Sequence, residues 1–184
     1  LAVLCHAGWS LEAVVAAVET LTPVPGRMEF FRGAPTLVVD YAHTPDALAK
    51  MLAALKPHLS GADAGVDARL ICLCGCGGDR DRGKRPLMAE AACTEADLVW
   101  LTSDNPRSED PAAIIDDMLP GVPDGAAIEI CVDRREAIEA AVRAAGPADL
   151  VVIAGKGHED YQEVNGQRLP FDDRAIARAL TEGR

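Results

Sequence analysis

An α/β domain built on a mainly parallel sheet flanked by helices is what these 184 residues predict. Apolar runs such as Leu150-Val151-Val152-Ile153-Ala154 alternate with amphipathic stretches of about ten residues, the signature of βαβ units. Near the C-terminus, Asn165-Gly166 separates two further strand patterns, which is a strong short-range hairpin signal. Residues able to hold a ligand (Asp, Asn, Arg, His and Gly) gather directly after the apolar runs, where open α/β sheets bind. The expectation is therefore Rossmann-like, with a C-terminal β-hairpin.

Taken in order, residues 10–21 carry a helix pattern with Ser10 placed as N-cap, and the Thr-Pro-Val-Pro-Gly run at 22–26 breaks it. Nothing in residues 1–9 closes a core. Residues 1–25 are thus expected to be the tail of a preceding domain plus a linker, and 26–184 a domain of their own. Leu1 in the place of Met fits an excised piece. Strands are expected over 28–32 and 36–39 around Gly33-Ala34-Pro35, then a helix over 45–55 with Leu48, Met51, Leu52 and Leu55 on one face. A Gly/Asp/Ala loop fills 60–67. Strands over 69–74, 98–101, 128–132 and 150–154 alternate with helices over 84–96, 111–118 and 134–145. Hairpin strands over 161–164 and 167–169, then an amphipathic helix over 172–180, close the chain.

Composition narrows the function. Hydrophobic residues make up 49% of the chain, which argues against disorder. A net charge of −11 argues against a nucleic-acid partner, though local Arg and Lys clusters still suit small anions. No apolar run approaches the ~20 residues of a membrane span, and no signal peptide is visible. The six cysteines (5, 72, 74, 76, 93, 131) contain no C-x-x-C pair and read as buried free thiols of a reducing cytoplasm.

Four expected strand ends carry chemistry. After residues 36–39 comes Asp40-Tyr41-Ala42-His43-Thr44-Pro45, whose carboxylate and imidazole suit a ribose hydroxyl and a phosphate oxygen. The same residues also suit a turn cap and an ordinary loop position. After 69–74, Gly75-Cys76-Gly77-Gly78-Asp79-Arg80-Asp81-Arg82-Gly83-Lys84 offers backbone N–H groups and a helix start to an anion. It is neither a dinucleotide fingerprint, since Arg80 stands where the third glycine belongs, nor a Walker loop. Asp79-Arg80-Asp81 opens like a calcium loop, but Gly83 and Lys84 break the pattern, and no metal ligands are assigned.

After 98–101, Ser103-Asp104-Asn105-Pro106-Arg107 sets an amide and a guanidinium fork side by side, unless it is only a solvated loop. After 150–154, Gly155-Lys156-Gly157-His158-Glu159 adds close backbone approach and an acceptor for an ammonium group. Arg80, Asn105, Arg107, the Gly155 carbonyl and Glu159 together suit a ligand bearing both carboxylates and ammonium groups, an amino acid.

Gly26-Arg27-Met28-Glu29, Asp40 to Leu48, Gly77 to Pro86, Asp104-Asn105-Pro106-Arg107 and Gly155 to Glu159 occur in this order. Together they resemble the C-terminal domain of the Mur ligases, in particular the members that add diaminopimelate, from about residue 26 to the end. The resemblance implies ATP-dependent amide-bond formation in cytoplasmic peptidoglycan synthesis. A carboxylate of the UDP-N-acetylmuramoyl-dipeptide becomes an acyl phosphate, which an amine of meso-diaminopimelate attacks. It implies that Arg80, Asp104, Asn105, Pro106, Arg107, Gly155 and Glu159 contact diaminopimelate, while Arg27, Asp40 and His43 face ATP. In the family, lysine-adding members lack an Arg at the position matching Arg107.

The chain has no G-x-x-x-x-G-K-[ST], so the phosphate site of the family's central domain, with most of its Mg2+ ligands, is absent. No catalytic residue is therefore assigned, and the chain alone is expected to be inactive as a ligase. Two rivals stay open: a stand-alone amino-acid-binding module, which the missing P-loop favours, and a nucleotide-dependent oxidoreductase, which the failed glycine fingerprint disfavours.

Overall fold

Two short helices, α1 (Ala2–His6) and α2 (Leu11–Glu19), lead into the sheet in the structure, a computed structural model describing residues 2–20, 24–59 and 68–182. α2 starts where expected: Ser10 is its N-cap, and its Oγ accepts the Ala13 N–H at 3.2 Å. α1 was not expected, because 5 residues are too few for a helical period to show in sequence. The linker at 22–26 lies partly, and the loop at 60–67 wholly, outside the described residues.

From there the chain runs β1 (Glu29–Phe31), β2 (Thr36–Asp40), α3 (Pro45–Leu59), β3 (Leu70–Cys74), α4 (Lys84–Glu95), β4 (Leu98–Leu101) and α5 (Pro111–Asp116). A 3-10 turn, Leu119–Gly121, precedes β5 (Ile128–Ile130), α6 (Arg134–Ala144) and β6 (Leu150–Ala154). The hairpin β7 (Tyr161–Val164) and β8 (Gln167–Pro170) and the helix α7 (Asp173–Glu182) finish it. α3 continues past its expected end, through Pro57, and Leu59 packs against the core there.

The strands lie in the order β1-β2-β6-β3-β4-β5, with β1 antiparallel to β2 and every other pairing parallel. β7 and β8 form a separate antiparallel pair. The α/β class, the mainly parallel sheet and the C-terminal hairpin are as the sequence predicts.

Helices cover both faces of the sheet, so its inner strands are apolar along their whole length rather than alternating. Val38, Cys72, Cys74 and Val152 face α3 and α4, packing with Leu48, Leu52, Met88 and Ala92. Leu37, Val39, Ile71, Leu73 and Ile153 point the other way, onto Ile138 and Val142 of α6 and Ile176 of α7. The six cysteines are free, with Cys72 and Cys74 inside this packing. Register fixes where the strands stop: Asp40 lies beside Ala154, Leu73 beside Ile153, and Cys74 beside Leu101. Their following loops leave from one edge of the sheet.

Candidate functional site

A cavity of about 510 Å³ opens at that edge. Its volume suits a small ligand. Tyr41, His43 and Thr44 line it from the loop after β2, Gly75 to Gly77 with Arg80, Asp81 and Lys84 from the loop after β3 and the start of α4. Asp104, Asn105 and Arg107 follow β4, Gly155 and Glu159 follow β6, and Tyr161 begins β7. The structure thus brings together Arg80, Asp104, Asn105, Arg107, Gly155, Glu159 and His43 from the sequence-derived set.

Three others are not on the wall. Pro106 is buried and its carbonyl lies where a Cβ on Gly78 would be, so only glycine allows these two loops to meet. Arg27 is exposed, its guanidinium 4.2 Å from the centre of the Tyr41 ring. Asp40 takes the Met28 N–H on Oδ2 and the Ala42 N–H on Oδ1, each at 2.8 Å. Of the two roles the sequence left open for Asp40, the turn cap is the one with visible partners.

Two of the loops are locked together. Asp79, in the left-handed region at φ 53°, accepts the Ser108 hydroxyl on Oδ1 at 2.7 Å and the Ser108 N–H on Oδ2 at 3.2 Å. Its own N–H donates to Glu109 Oε1 at 2.6 Å. Buried Arg85 ties Glu109 (2.8 Å) to Asp117 (2.7 Å) underneath. Hydrogen bonds from Arg85 are the main cause that holds the Glu109 carboxyl at about 2. Asp79 is therefore a crosslink in this structure, not the first ligand of a cation loop.

Arg107 also has φ 53°, a strained position for a non-glycine residue of the kind that gathers at functional sites. The hairpin holds it there: Arg107 N–H donates to Glu163 O at 2.9 Å, and Asn165 N–H donates to Arg107 O at 2.6 Å. Its side chain donates from Nη1 to Gly78 O at 2.7 Å and pairs through Nε with Glu163 Oε2 at 3.2 Å. Of five guanidinium donors, the remaining N–H groups have no partner among the described residues, which leaves them able to meet a carboxylate. Gln162 secures the preceding residues, donating to Ser103 Oγ at 2.9 Å and Asp104 O at 2.6 Å.

The anionic side of the wall is as well defined. Asp104 is almost buried and makes no side-chain hydrogen bond among the described residues. Burial pushes its pKa up, against the pull of Arg134 and Lys156. Gly155, at φ 112°, lies against it; a Cβ there would stand 2.6 Å from Asp104 Oδ2. Burial also works against Glu159, but hydrogen bonds from Asn105 and Lys156 outweigh it and lower its pKa. Cys76 is pushed up to about 12, mainly by burial, so its thiol is no nucleophile near neutral pH. His43 Nδ1 lies 2.8 Å from Tyr41 O, which makes Nδ1 the donor and leaves Nε2 for a ligand. The Tyr41 ring meets His43 edge-on (centroids 4.6 Å apart) and His158 at a tilt (5.3 Å), with Arg27 over its face.

Sequence reasoning missed the buried lysine, Lys156, and the hairpin contacts of Gln162 and Glu163. A Lys between two glycines reads as a loop cation, and its partner Asn105 lies 51 residues away in the chain.

Taken as a whole, the wall pairs cations (Arg80, Lys84, Arg107) with carboxylates (Asp81, Asp104, Glu159), a lining suited to a small zwitterion.

Comparison with known proteins shows what the chain is similar to. Residues 26–157 match the family model of the Mur ligase, glutamate ligase domain. A UDP-N-acetylmuramoyl-L-alanyl-D-glutamate–2,6-diaminopimelate ligase of Acidovorax sp. (strain JS42) is 55% identical over 174 residues, 94% of this chain and 34% of that protein. The enzyme of the same name from Synechococcus elongatus is 49% identical over 184 residues, 96% of this chain and 36% of its own. A solved structure of such a ligase superposes with a TM-score of 0.79 at 49% identity, over 97% of this chain and 36% of the other. A folylpolyglutamate synthase from Thermotoga maritima, 20% identical with a TM-score of 0.56, covers 79% of this chain and 31% of that one, and shares the fold. The chain spans about a third of the length of the curated relatives it matches. It belongs to the Mur ligase family.

Proposed function

We propose that this chain is the amino-acid-binding part of an ATP-dependent ligase. In this reading the enzyme joins meso-diaminopimelate to UDP-N-acetylmuramoyl-L-alanyl-D-glutamate in cytoplasmic peptidoglycan synthesis. The observation that carries the reading is the mixed charge of one cavity wall, with Arg80 and Arg107 set among Asp104, Asn105 and Glu159.

Diaminopimelate and lysine share one amino-acid end and a distal ammonium; diaminopimelate alone adds a distal carboxylate. Arg107, with N–H groups to spare after Gly78 and Glu163, is placed to grip that carboxylate, and Asn105 stands beside it. Asp104 and Glu159 answer the ammonium. Lysine leaves the fork without its ligand, which is the penalty that discriminates. Held in this way, the reacting amine meets the activated carboxyl in a fixed orientation, and orientation is the catalytic contribution open to these residues.

ATP supplies the phosphoryl group that turns the dipeptide carboxylate into an acyl phosphate. The amine nitrogen then bonds to the acyl carbon as phosphate leaves with the C–O bonding electrons. His43 through Nε2, Arg27 and the Tyr41 ring form the face this chain offers to a nucleotide, and Asp40 holds that loop in shape. Magnesium finds no cluster of three or more His, Cys, Asp or Glu among the described residues. We assign its ligands, like the phosphate loop, to a central domain of which residues 1–25 form the tail.

Calorimetric titration of the 184-residue chain tests the reading. Meso-diaminopimelate is expected to bind, and L-lysine to bind at least about tenfold more weakly. The same preparation, given ATP, Mg2+ and both substrates, is expected to release no phosphate. Equal affinity for the two amino acids would overturn the specificity, and phosphate release would overturn the division of labour.

A further inference from the structure

Directly behind the cavity wall lies a lysine with no exposure to solvent. Lys156 follows β6, between Gly155 and Gly157, and its side chain is 0% exposed. Its Nζ donates to Asn105 Oδ1 at 3.0 Å and to Glu159 Oε2 at 3.1 Å, and sits 5.5 Å from the Tyr161 ring centre. Asn105, Glu159 and Tyr161 all line the cavity, whereas Lys156 itself does not. An ammonium taken fully out of water carries a large desolvation cost, which an apolar side chain filling the same space avoids. The position uses a charge where packing alone needs none.

The charge has two visible effects on its neighbours. Asn105 Oδ1 receives two donors, Lys156 Nζ and the Glu163 N–H at 2.9 Å. A flipped amide would point its own N–H groups at both, so Nδ2 is fixed toward Glu159 Oε2, at 2.9 Å. Glu159 takes both of its hydrogen bonds, from Asn105 and Lys156, on Oε2, and Oε1 carries none among the described residues. One carboxylate oxygen and one amide N–H, an acceptor and a donor, are thereby left in fixed relation.

We propose that Lys156 is a positioning residue for amino-acid binding: its buried ammonium sets the Asn105 amide and the Glu159 carboxylate so that Oε1 meets the ligand's ammonium and the second Nδ2–H its carboxylate. Lys156 touches no ligand and works only through these two side chains. The inference rests on the reading of the cavity as an amino-acid site, and its test separates the two.

In the 184-residue chain, Lys156→Met keeps an unbranched side chain one atom shorter and removes the charge. Affinity for meso-diaminopimelate is expected to fall by about tenfold or more, the scale of a lost charge-assisted hydrogen bond. In an Asn105→Ala, Glu159→Gln background, where both groups that Lys156 acts through are already gone, the same substitution is expected to change affinity by less than about twofold. A merely structural lysine would give the same loss in both backgrounds, and that additive result overturns the proposal. Should Lys156→Met alone fail to fold, the Asn105→Ala, Glu159→Gln background with and without Lys156→Met still supplies the decisive comparison. If the unsubstituted chain binds no diaminopimelate, the amino-acid reading fails, and the NMR signals of the Asn105 side-chain amide decide the positioning. Those signals are expected to shift and to exchange faster in Lys156→Met; unchanged signals sink it.

Discussion

Arg134 and Arg107 are the same chemical group in two regions of one sheet edge, and the protein treats them in opposite ways. Arg134, at the start of α6, is sealed: Nε and Nη2 donate to the two Asp173 oxygens at 3.0 and 2.7 Å, Nη1 to Ser103 O at 3.2 Å, and Nη2 again to Ala154 O at 2.9 Å. Four of its five donors are spent, and both partners of the ion pair are 0% exposed. Arg107 spends two, on Gly78 O and Glu163, and keeps the rest beside a cavity. What distinguishes a structural arginine from the one we propose to bind is not its charge or its strand end. It is how many of its donors the fold has already used.

Breaking the sealed side carries the largest expected effect. Arg134→Met leaves the Asp173 carboxylate buried without its partner, a loss of about 3–5 kcal/mol. For a domain of this size the melting temperature falls by roughly 6–20 °C. Adding Asp173→Leu is expected to recover most of that, since a buried pair exchanged for apolar groups is often neutral. A single variant melting within roughly 2 °C of the parent would show that the pair is not what holds α6 and α7 to the strand ends.

Arg107→Ala sharpens the other side. Its effect belongs to binding: affinity for meso-diaminopimelate is expected to drop by roughly two to four decades, as for a charge-assisted pair broken on one side. Lysine affinity falls far less, and Arg107→Lys does not restore the loss, because a point charge does not reproduce the planar fork. Titration with both amino acids reads the difference. Equal losses would reduce Arg107 to a shaper of its loop.

The smallest effect is expected in acid. Glu109 titrates at about 2 in the folded chain against an ordinary 4.5, so the stability it contributes is complete above 4.5 and fades as the pH falls through about 2. Asp79, lowered chiefly by the Ser108 hydroxyl, acts in the same sense. Asp104 runs opposite: its raised pKa means that protonation on acidification relieves a burial cost. Amide exchange at residues 79, 108 and 109, followed from pH 5 toward pH 2, should show the rim loosening across that window. Protection unchanged over the whole range would mean that the two loops are held by something other than these carboxylates.

Much of this was legible in the sequence, for a physical reason. Strand-end loops are local: an apolar run such as 150–154 announces its own end, and the residues after it must lie at the edge of the sheet. That logic reached Arg80, Asn105, Arg107, Gly155 and Glu159 without any contact being known. It failed where function depends on which loop meets which. Lys156 looked like a solvated cation because its burial is created by Asn105 and Glu159, and Gln162 looked like an ordinary strand residue 58 positions from the backbone it fastens. Asp40 was ambiguous because the deciding partner, the Met28 N–H, sits 12 residues upstream on a different element.

The place of β6 in the sheet has a consequence for how the molecule comes into being. β6 lies between β2 and β3, yet it is made after every other strand of the large sheet. Until residues 150–154 leave the ribosome, β1-β2 and β3-β4-β5 lack the strand that joins them, and any half-sheet they form has an apolar, unpaired edge where β6 belongs. Such edges are templates for pairing with other chains, and the pairing that removes them is long-range and therefore slow. A nascent chain stalled shortly before Leu150 thus exposes its most adhesive surfaces. The same five residues that join the halves carry Gly155 and Lys156 into place immediately behind them, so closure of the sheet must precede completion of the ligand cavity, which waits for Glu159, Tyr161 and the hairpin that follow.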